Sequence, residues 1–222
     1  MSIEFKKRIF TSIILLSLLV LMFFYSYILF ISLILISIVT WIEFYGLISK
    51  IFIKKRLIDR LFKLIFKSAF LFYLFIFSFI IFTIKFKNDG SELFIIYSLL
   101  ACISSDIGGL IFGKIFKGPK LTKISPNKTI SGSMGSFIFS LLLIPFFIDH
   151  IATNEIWSLI IITVLISLIS QIGDLFISFL KRKAQVKDTS DLLPGHGGVL
   201  DRIDGILFAI PAGLFLFTIF DI

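Results

Sequence analysis

The chain holds one cysteine, Cys102, and two histidines among 222 residues. A single thiol excludes an intrachain disulfide and a thiolate-held metal cluster. Its apolar setting reads as that of a small packing residue. The G-x4-G-K-[ST] spacing of a Walker A loop is absent, which excludes that phosphate cradle. No internal repeat is visible, and no interval between apolar runs is long enough to build a second soluble core. The start, MSIEFKKRIF, is basic and leads into a long apolar run without a small-x-small cleavage site. It reads as a retained first helix rather than a removable leader.

What is present in excess is hydrocarbon. Hydrophobic residues make up 58% of the chain, with 29 Phe, against about 45–50% for a soluble domain. They lie in runs long enough to cross a bilayer, which needs about 20 apolar residues. Ile9 to Ser49 is apolar apart from Glu43. As one helix it would be about 60 Å long, twice the hydrocarbon thickness, so it must fold back, near Tyr25–Tyr27. Further spans are expected at Leu64–Ile84, Leu93–Gly113, Gly132–Ile148, Ile156–Leu180 and Gly205–Phe220. The expected fold is an all-α polytopic membrane helical bundle of about seven helices, forming a single membrane domain over residues 1–222.

Net charge is +8. The basic residues flank the apolar runs rather than forming one solvated face, so they speak for membrane lipids and span orientation, not nucleic acid. With the N-terminus cytoplasmic, one side receives Lys6, Lys7 and Arg8, the Lys50–Lys67 loop, and Lys114, Lys117, Lys120, Lys123 and Lys128. It also receives Lys181, Arg182, Lys183, Lys187 and Arg202. The other side has Lys85 and Lys87, and the Asp149–Glu155 turn has no Lys or Arg. The two long polar segments, Lys114–Ser131 and Lys181–Asp204, are thus expected together on the cytoplasmic face of the inner membrane.

Asp174, Ser178 and Lys181 fall at i, i+4 and i+7 of the sixth span, on one helical face. A carboxylate near the end of an apolar helix is a functional candidate; an Asp–Lys or Asp–Ser staple between helices is the plainer alternative. In KDTSDLLPGHGG, Pro194-Gly195 forces a turn, and Gly197-Gly198 permits a close backbone approach, suited to a phosphate nest. His196 could meet a phosphate oxygen, move a proton or only brace the turn. Asp201 and Asp204 are adjacent on one face at the start of the last helix, with Arg202 turned away. Few hard oxygen ligands, leaving room for water and phosphates, suit Mg²⁺; a helix dipole would explain one of the two acids without any metal. Upstream, Asp106 interrupts an apolar run, and Ser125-Pro126-Asn127-Lys128-Thr129 sets hydroxyls and a lysine between glycine-rich flanks. Together these features suggest phosphoryl or nucleotidyl transfer onto a lipid.

The run from Ser178 to Asp204, SFLKRKAQVKDTSDLLPGHGGVLDRID, resembles the C-terminal signature of the phosphatidate cytidylyltransferase (CDP-diacylglycerol synthase) family. The match falls on Ser178, Lys181, Arg182, Lys187, Asp188, Pro194, His196, Gly197, Gly198, Asp201, Arg202 and Asp204. Gly173-Asp174-Leu175 is similar to the family's Gly-Asp-Leu, and Ser125-Pro126-x-Lys128-Thr129 to its second motif. Trp41-Ile42-Glu43-Phe44 is a fainter echo of a Trp-Glu element in the second span. The family-like part is Ser105 to Asp204, so residues 1–104 are expected to supply N-terminal spans and 105–222 the catalytic part. The chain departs from the family at Gly109-Leu110-Ile111, usually Ala-Tyr-Phe, and at Ile130-Ser131-Gly132, usually Trp-Glu-Gly, so no carboxylate stands at position 131.

The resemblance implies conversion of CTP and phosphatidate to CDP-diacylglycerol and pyrophosphate, with Mg²⁺ and room for a second cation. It implies Asp174, Asp201 and Asp204 as metal ligands, with Asp188 beside them. Lys181, Arg182, Lys187, Arg202 and Lys128 would contact phosphates, and the His196 loop, with Gly197 and Gly198, would cradle them. Ser125, Thr129 and Ser178 complete the substrate-binding set, and a homodimer is compatible with it. Two other functions fit parts of the pattern. A CTP-dependent lipid-alcohol kinase would share nucleotide and membrane, and a polytopic transporter would also carry intramembrane carboxylates, though nearer the midplane.

Overall fold

In the computed structural model, residues 3–53, 56–87, 90–151, 156–220 and 222 are described. Lys54 and Lys55 of the first basic loop, and positions 152–155 of the Asp149–Glu155 turn, lie outside them. Among the described residues eight helices follow in order: α1 Ile3–Phe24, α2 Ser26–Ile51, α3 Leu57–Lys87, α4 Glu92–Phe116, α5 Ile130–Leu141, α6 Ile144–Phe147, α7 Ile156–Lys183 and α8 Leu200–Ile219. Among the described residues, seven helical stretches are long and apolar enough to cross a membrane, α5 and α6 counting as one. The chain is all-α and polytopic, as expected, and the long apolar run does fold back at Tyr25, whose extended backbone separates α1 from α2.

Several boundaries differ from the sequence expectation: α3 begins at Leu57 rather than Leu64, so its basic first turns are helical instead of part of a Lys50–Lys67 loop, and α7 runs on to Lys183. The span expected over Gly132–Ile148 is broken, because Pro145 at the head of α6 has no amide hydrogen to continue the ladder of α5. The last helix starts at Leu200 rather than Gly205, because side-chain acceptors reach its first free amides, as described below.

The chain forms two compact units interleaved in sequence: Met1–Phe86 with Leu180–Ile203, and Lys87–Phe179 with Asp204–Ile222. In the first, α2 and α3 are joined by Phe44 stacked on Phe70 at 3.9 Å between ring centroids and by a Ser37–Ser78 hydroxyl bond of 2.9 Å. Large apolar side chains of α1 and α3, such as Phe10 and Phe72, stand exposed, as lipid-facing residues do.

The second unit packs Tyr97, Cys102, Ile162, Ile166, Ala209 and Phe217 into one core. Small polar groups link its helices, a device suited to hydrocarbon, where packing and interhelical hydrogen bonds replace the hydrophobic drive. Ser105 bonds Ser167 at 2.8 Å, Cys102 bonds Ser170 at 3.0 Å, and Ser136 donates to the Ser105 carbonyl at 2.7 Å. At the α4–α5 crossing a Cβ on Gly108 would lie 2.3 Å from the Gly135 carbonyl oxygen. Backbone touches backbone there, which leaves no room for any larger residue.

Candidate active site

The polar segment of the first unit is built by local rules. Helix α7 ends with Gln185 in the left-handed region (φ 57°) and a Val186 N–H to Lys181 carbonyl bond of 3.0 Å, a Schellman-type stop. Leu193-Pro194-Gly195-His196 closes a turn through the His196 N–H to Leu193 carbonyl bond of 2.8 Å, with Gly195 at φ 78°. Proline second and a positive-φ glycine third is the type II pattern. Gly197 follows at φ 80°. The turn returns the chain to the head of α8.

Asp201 is the hub of this segment, with a side chain only 3% exposed. Its Oδ1 receives the Lys181 ammonium at 2.6 Å. Its Oδ2 receives the Thr189 N–H at 2.8 Å, the Thr189 hydroxyl at 2.9 Å and the Gly198 N–H at 3.0 Å. Lys181, Gly198 and Asp201, all singled out in the sequence, are thus brought together. Arg202 points away from Asp201 and donates through Nε and one terminal nitrogen to the His196 carbonyl, at 3.0 and 2.7 Å. The His196 ring meets the Ser12 hydroxyl at 3.3 Å through Nε2, while Nδ1 is buried with no partner among the described residues. Lys187 and Asp188 are exposed and make no side-chain hydrogen bond among the described residues. The Arg182 guanidinium reaches the Val186 carbonyl at 3.5 Å.

One residue of this segment was not assigned from sequence. Glu43, from the middle of α2, is 6% exposed. Its carboxylate accepts from the Ser190 hydroxyl at 2.5 Å, the Thr189 hydroxyl at 3.0 Å, the Val199 N–H at 3.0 Å and the Leu200 N–H at 2.7 Å. Two of these donors are the free amides at the start of α8, where a negative charge is favoured by the helix dipole. Thr189 has one hydroxyl hydrogen and stands between two carboxylates, Glu43 and Asp201. The signal was available: Glu43 is the one charge in a 41-residue apolar run, Ile9 to Ser49. Gly198 also has an intramolecular reason to be glycine. A Cβ there would lie 2.0 Å from the Thr189 hydroxyl and 2.6 Å from each Glu43 oxygen.

The second unit gathers the rest. The Lys114–Ser131 segment closes as a short hairpin, with Leu121 N–H on the Lys128 carbonyl at 2.8 Å and Lys128 N–H on the Ser125 carbonyl at 3.1 Å. Thr129 caps α5 by accepting from Gly132 N–H at 3.1 Å. This folding delivers Lys128 to an ion pair with Asp174, whose other oxygen accepts from Ser178 at 3.3 Å. Asp174 thus takes its lysine from the upstream motif, and Lys181, expected on the same face, pairs with Asp201 instead. Asp204 accepts from the next amide, Gly205 N–H, at 2.9 Å.

As cation ligands these carboxylates have the right chemistry, since Mg²⁺ takes one or two carboxylates and completes its shell with water and phosphate oxygens. Ammonium groups stand on two of them, Lys128 on Asp174 and Lys181 on Asp201, so each already holds a positive charge against its oxygens. Among the described residues no three His, Cys, Asp or Glu side chains gather closely enough to enclose an ion by themselves.

Apolar helices long enough to span a membrane, carrying the carboxylate–lysine pairs Lys128–Asp174 and Lys181–Asp201, define a polytopic membrane protein with polar clusters among its helices. The sequence profile of the cytidylyltransferase family matches residues 2–220, and the chain belongs to that family. It is 42% identical over 129 residues to a phosphatidate cytidylyltransferase of Staphylococcus haemolyticus (strain JCSC1435), covering 56% of this chain and 48% of the relative. It is 40% identical over 130 residues to the phosphatidate cytidylyltransferase of Staphylococcus aureus (strain COL), with the same coverage. The chain spans about half the length of the curated relatives it matches.

Proposed function

We propose that the protein is a phosphatidate cytidylyltransferase, converting CTP and phosphatidate to CDP-diacylglycerol and pyrophosphate. The observation that carries this reading is the Lys128–Asp174 pair. It joins the upstream Ser-Pro-Asn-Lys-Thr element to the helix that leads into the signature loop, two segments that have no common structural task in a plain span. Relatives named for the same reaction support it.

In this reaction a phosphate oxygen of phosphatidate attacks the α-phosphorus of CTP. The new P–O bond forms as the bond to the β-phosphate oxygen breaks, and pyrophosphate leaves with that electron pair. The attacking oxygen is already anionic, so no covalent enzyme intermediate and no general base are required. Catalysis is positioning and charge stabilisation. Lys128 and Lys181 neutralise Asp174 and Asp201 before substrate arrives, and the triphosphate competes for both ammonium groups. The carboxylates so released, with Asp204, would be offered to Mg²⁺, and Asp188, whose side chain neighbours Gly197 as Asp201 does, would add a further acid. Bound Mg²⁺ supplies Lewis-acid neutralisation of charge on phosphate oxygens. Arg182, Lys187 and Arg202 would add cationic contacts, Ser125, Thr129 and Ser178 would add hydroxyls, and the His196–Gly197 turn would approach the nucleotide phosphates while the Gly198 amide holds Asp201. The site lies on the cytoplasmic face of the inner membrane, where the basic segments and CTP both reside.

Purified protein given phosphatidate, Mg²⁺ and CTP labelled at either the α- or the γ-phosphorus tests this reading. Label from the α-position should enter lipid and γ-label should leave as pyrophosphate. Lipid labelled from the γ-position would establish a kinase instead.

A further inference from the structure

A groove between α2 and α3, with a volume of about 420 Å³, has no part in the chemistry above. Three cations line it from α3: Arg60, Lys63 and Lys67, at i, i+3 and i+7 and so on one face. Trp41 and Tyr45, one turn apart on α2, form the opposite wall. The wall is fixed, because the Trp41 indole N–H donates to the Lys67 carbonyl at 3.2 Å.

Among the described residues no ion pair joins an acid to these cations. Lys67 is 8% exposed, and among the described residues its ammonium meets the Ser49 hydroxyl, at 2.8 Å, and the face of the Tyr45 ring, 2.9 Å from its centroid. Arg60 and Lys63 make no side-chain hydrogen bond or ion pair among the described residues. Asp59, the acid of that first turn, is not part of the lining. Like charges converging on a partly dry groove repel unless a counter-charge enters.

The groove also has an apolar end. Leu64 and Leu71 continue the same α3 face, and α3 beyond it is a nearly unbroken apolar run. Arg60 to Leu71 spans about 16 Å of helix, enough for a headgroup and the upper part of an acyl chain. Aromatic residues beside lysines and arginines mark the membrane–water interface, and basic pockets between spanning helices take anionic headgroups. We propose that this groove is a binding site for an anionic phospholipid, with the headgroup phosphate held by Arg60, Lys63 and Lys67 and an acyl chain laid along Leu64 and Leu71.

Trp41 provides the probe. The chain has two tryptophans, so Trp157→Phe leaves Trp41 alone to report. The full chain, purified in detergent, is titrated with brominated phosphatidylglycerol, brominated phosphatidylcholine or inorganic phosphate. Brominated phosphatidylglycerol should quench Trp41 at a mole fraction roughly tenfold lower than brominated phosphatidylcholine, and Arg60→Gln with Lys63→Gln should abolish that preference. Millimolar inorganic phosphate should leave the quenching in place. Circular dichroism melting confirms that the double variant is folded, and Lys63→Glu alone serves as the second variant should it not be. Equal quenching by the two lipids, a preference that survives neutralisation of the cations, or full displacement by free phosphate would each overturn the assignment.

Discussion

Replacing Glu43 should damage the protein far beyond the loss of one side chain in a span. In Glu43→Ala the Val199 and Leu200 amides at the head of α8 and the Ser190 and Thr189 hydroxyls lose their acceptor together. A bond to a charged acceptor contributes about 1.5–3 kcal/mol, and water admitted to the vacated space restores part of it. Loss of one buried charged partner is typically about 3–5 kcal/mol, equivalent to a fall of about 6–20 °C in apparent melting temperature for a chain of this size. Glu43→Gln keeps one acceptor oxygen, and the two hydroxyls can reorient to accept from its amide. What it loses is charge at a helix N-terminus, about 1–2 kcal/mol. Melting of both variants in one detergent without nucleotide should therefore rank wild type above Gln and Gln above Ala. Because Thr189 is shared between Glu43 and Asp201, Glu43→Gln should also lower kcat about tenfold, a barrier change near 1.4 kcal/mol. A Glu43→Ala protein that melts with the wild type would refute the reasoning.

Gly198→Ala should lower both apo melting and turnover, by about 1–3 kcal/mol of overpacking, because its methyl group meets Thr189 and Glu43; full apo stability with lost CTP use would place the close approach at the ligand instead. Lys128→Ala and Asp174→Asn, singly and together, should show a double loss in turnover smaller than the product of the single losses, as paired groups do; simple multiplication would mean that the pair has no catalytic coupling. Single cysteines placed at Lys123 and Asp191 in a Cys102→Ser background should both be shielded from an impermeant reagent in intact cells. Labelling of either from outside would break the proposed shared face.

The spans were legible because apolar runs can satisfy backbone hydrogen bonds in lipid only as helices, and the reversal at Tyr25 followed from bilayer thickness alone. The turn Leu193–His196 was legible from Pro194-Gly195, since those residues restrict φ directly. Side-chain pairing was harder to read. Asp174 and Lys181 share a helical face by spacing, but spacing along one helix says nothing of the lysine that a folded hairpin delivers, so Lys128 went unpaired in the sequence. Glu43 lies 146 residues from Thr189, and no local pattern links them. The need for glycine at 198 is likewise set by a carboxylate on a distant helix. The early start of α8 has the same origin, because its cap comes from Glu43 and not from a neighbouring Ser, Thr or Asp.

The central claim is cytidylyl transfer to a phosphate-bearing lipid at a site centred on Asp201. Its most direct test is mass spectrometry of the lipid extract after purified protein is incubated with CTP, phosphatidate and Mg²⁺, with Asp201→Asn treated in parallel. The wild-type extract should contain phosphatidate enlarged by one cytidylyl group, formed in step with pyrophosphate, and the folded Asp201→Asn protein should form almost none. Absence of that lipid from the wild-type reaction, or its undiminished formation by Asp201→Asn, would contradict the account.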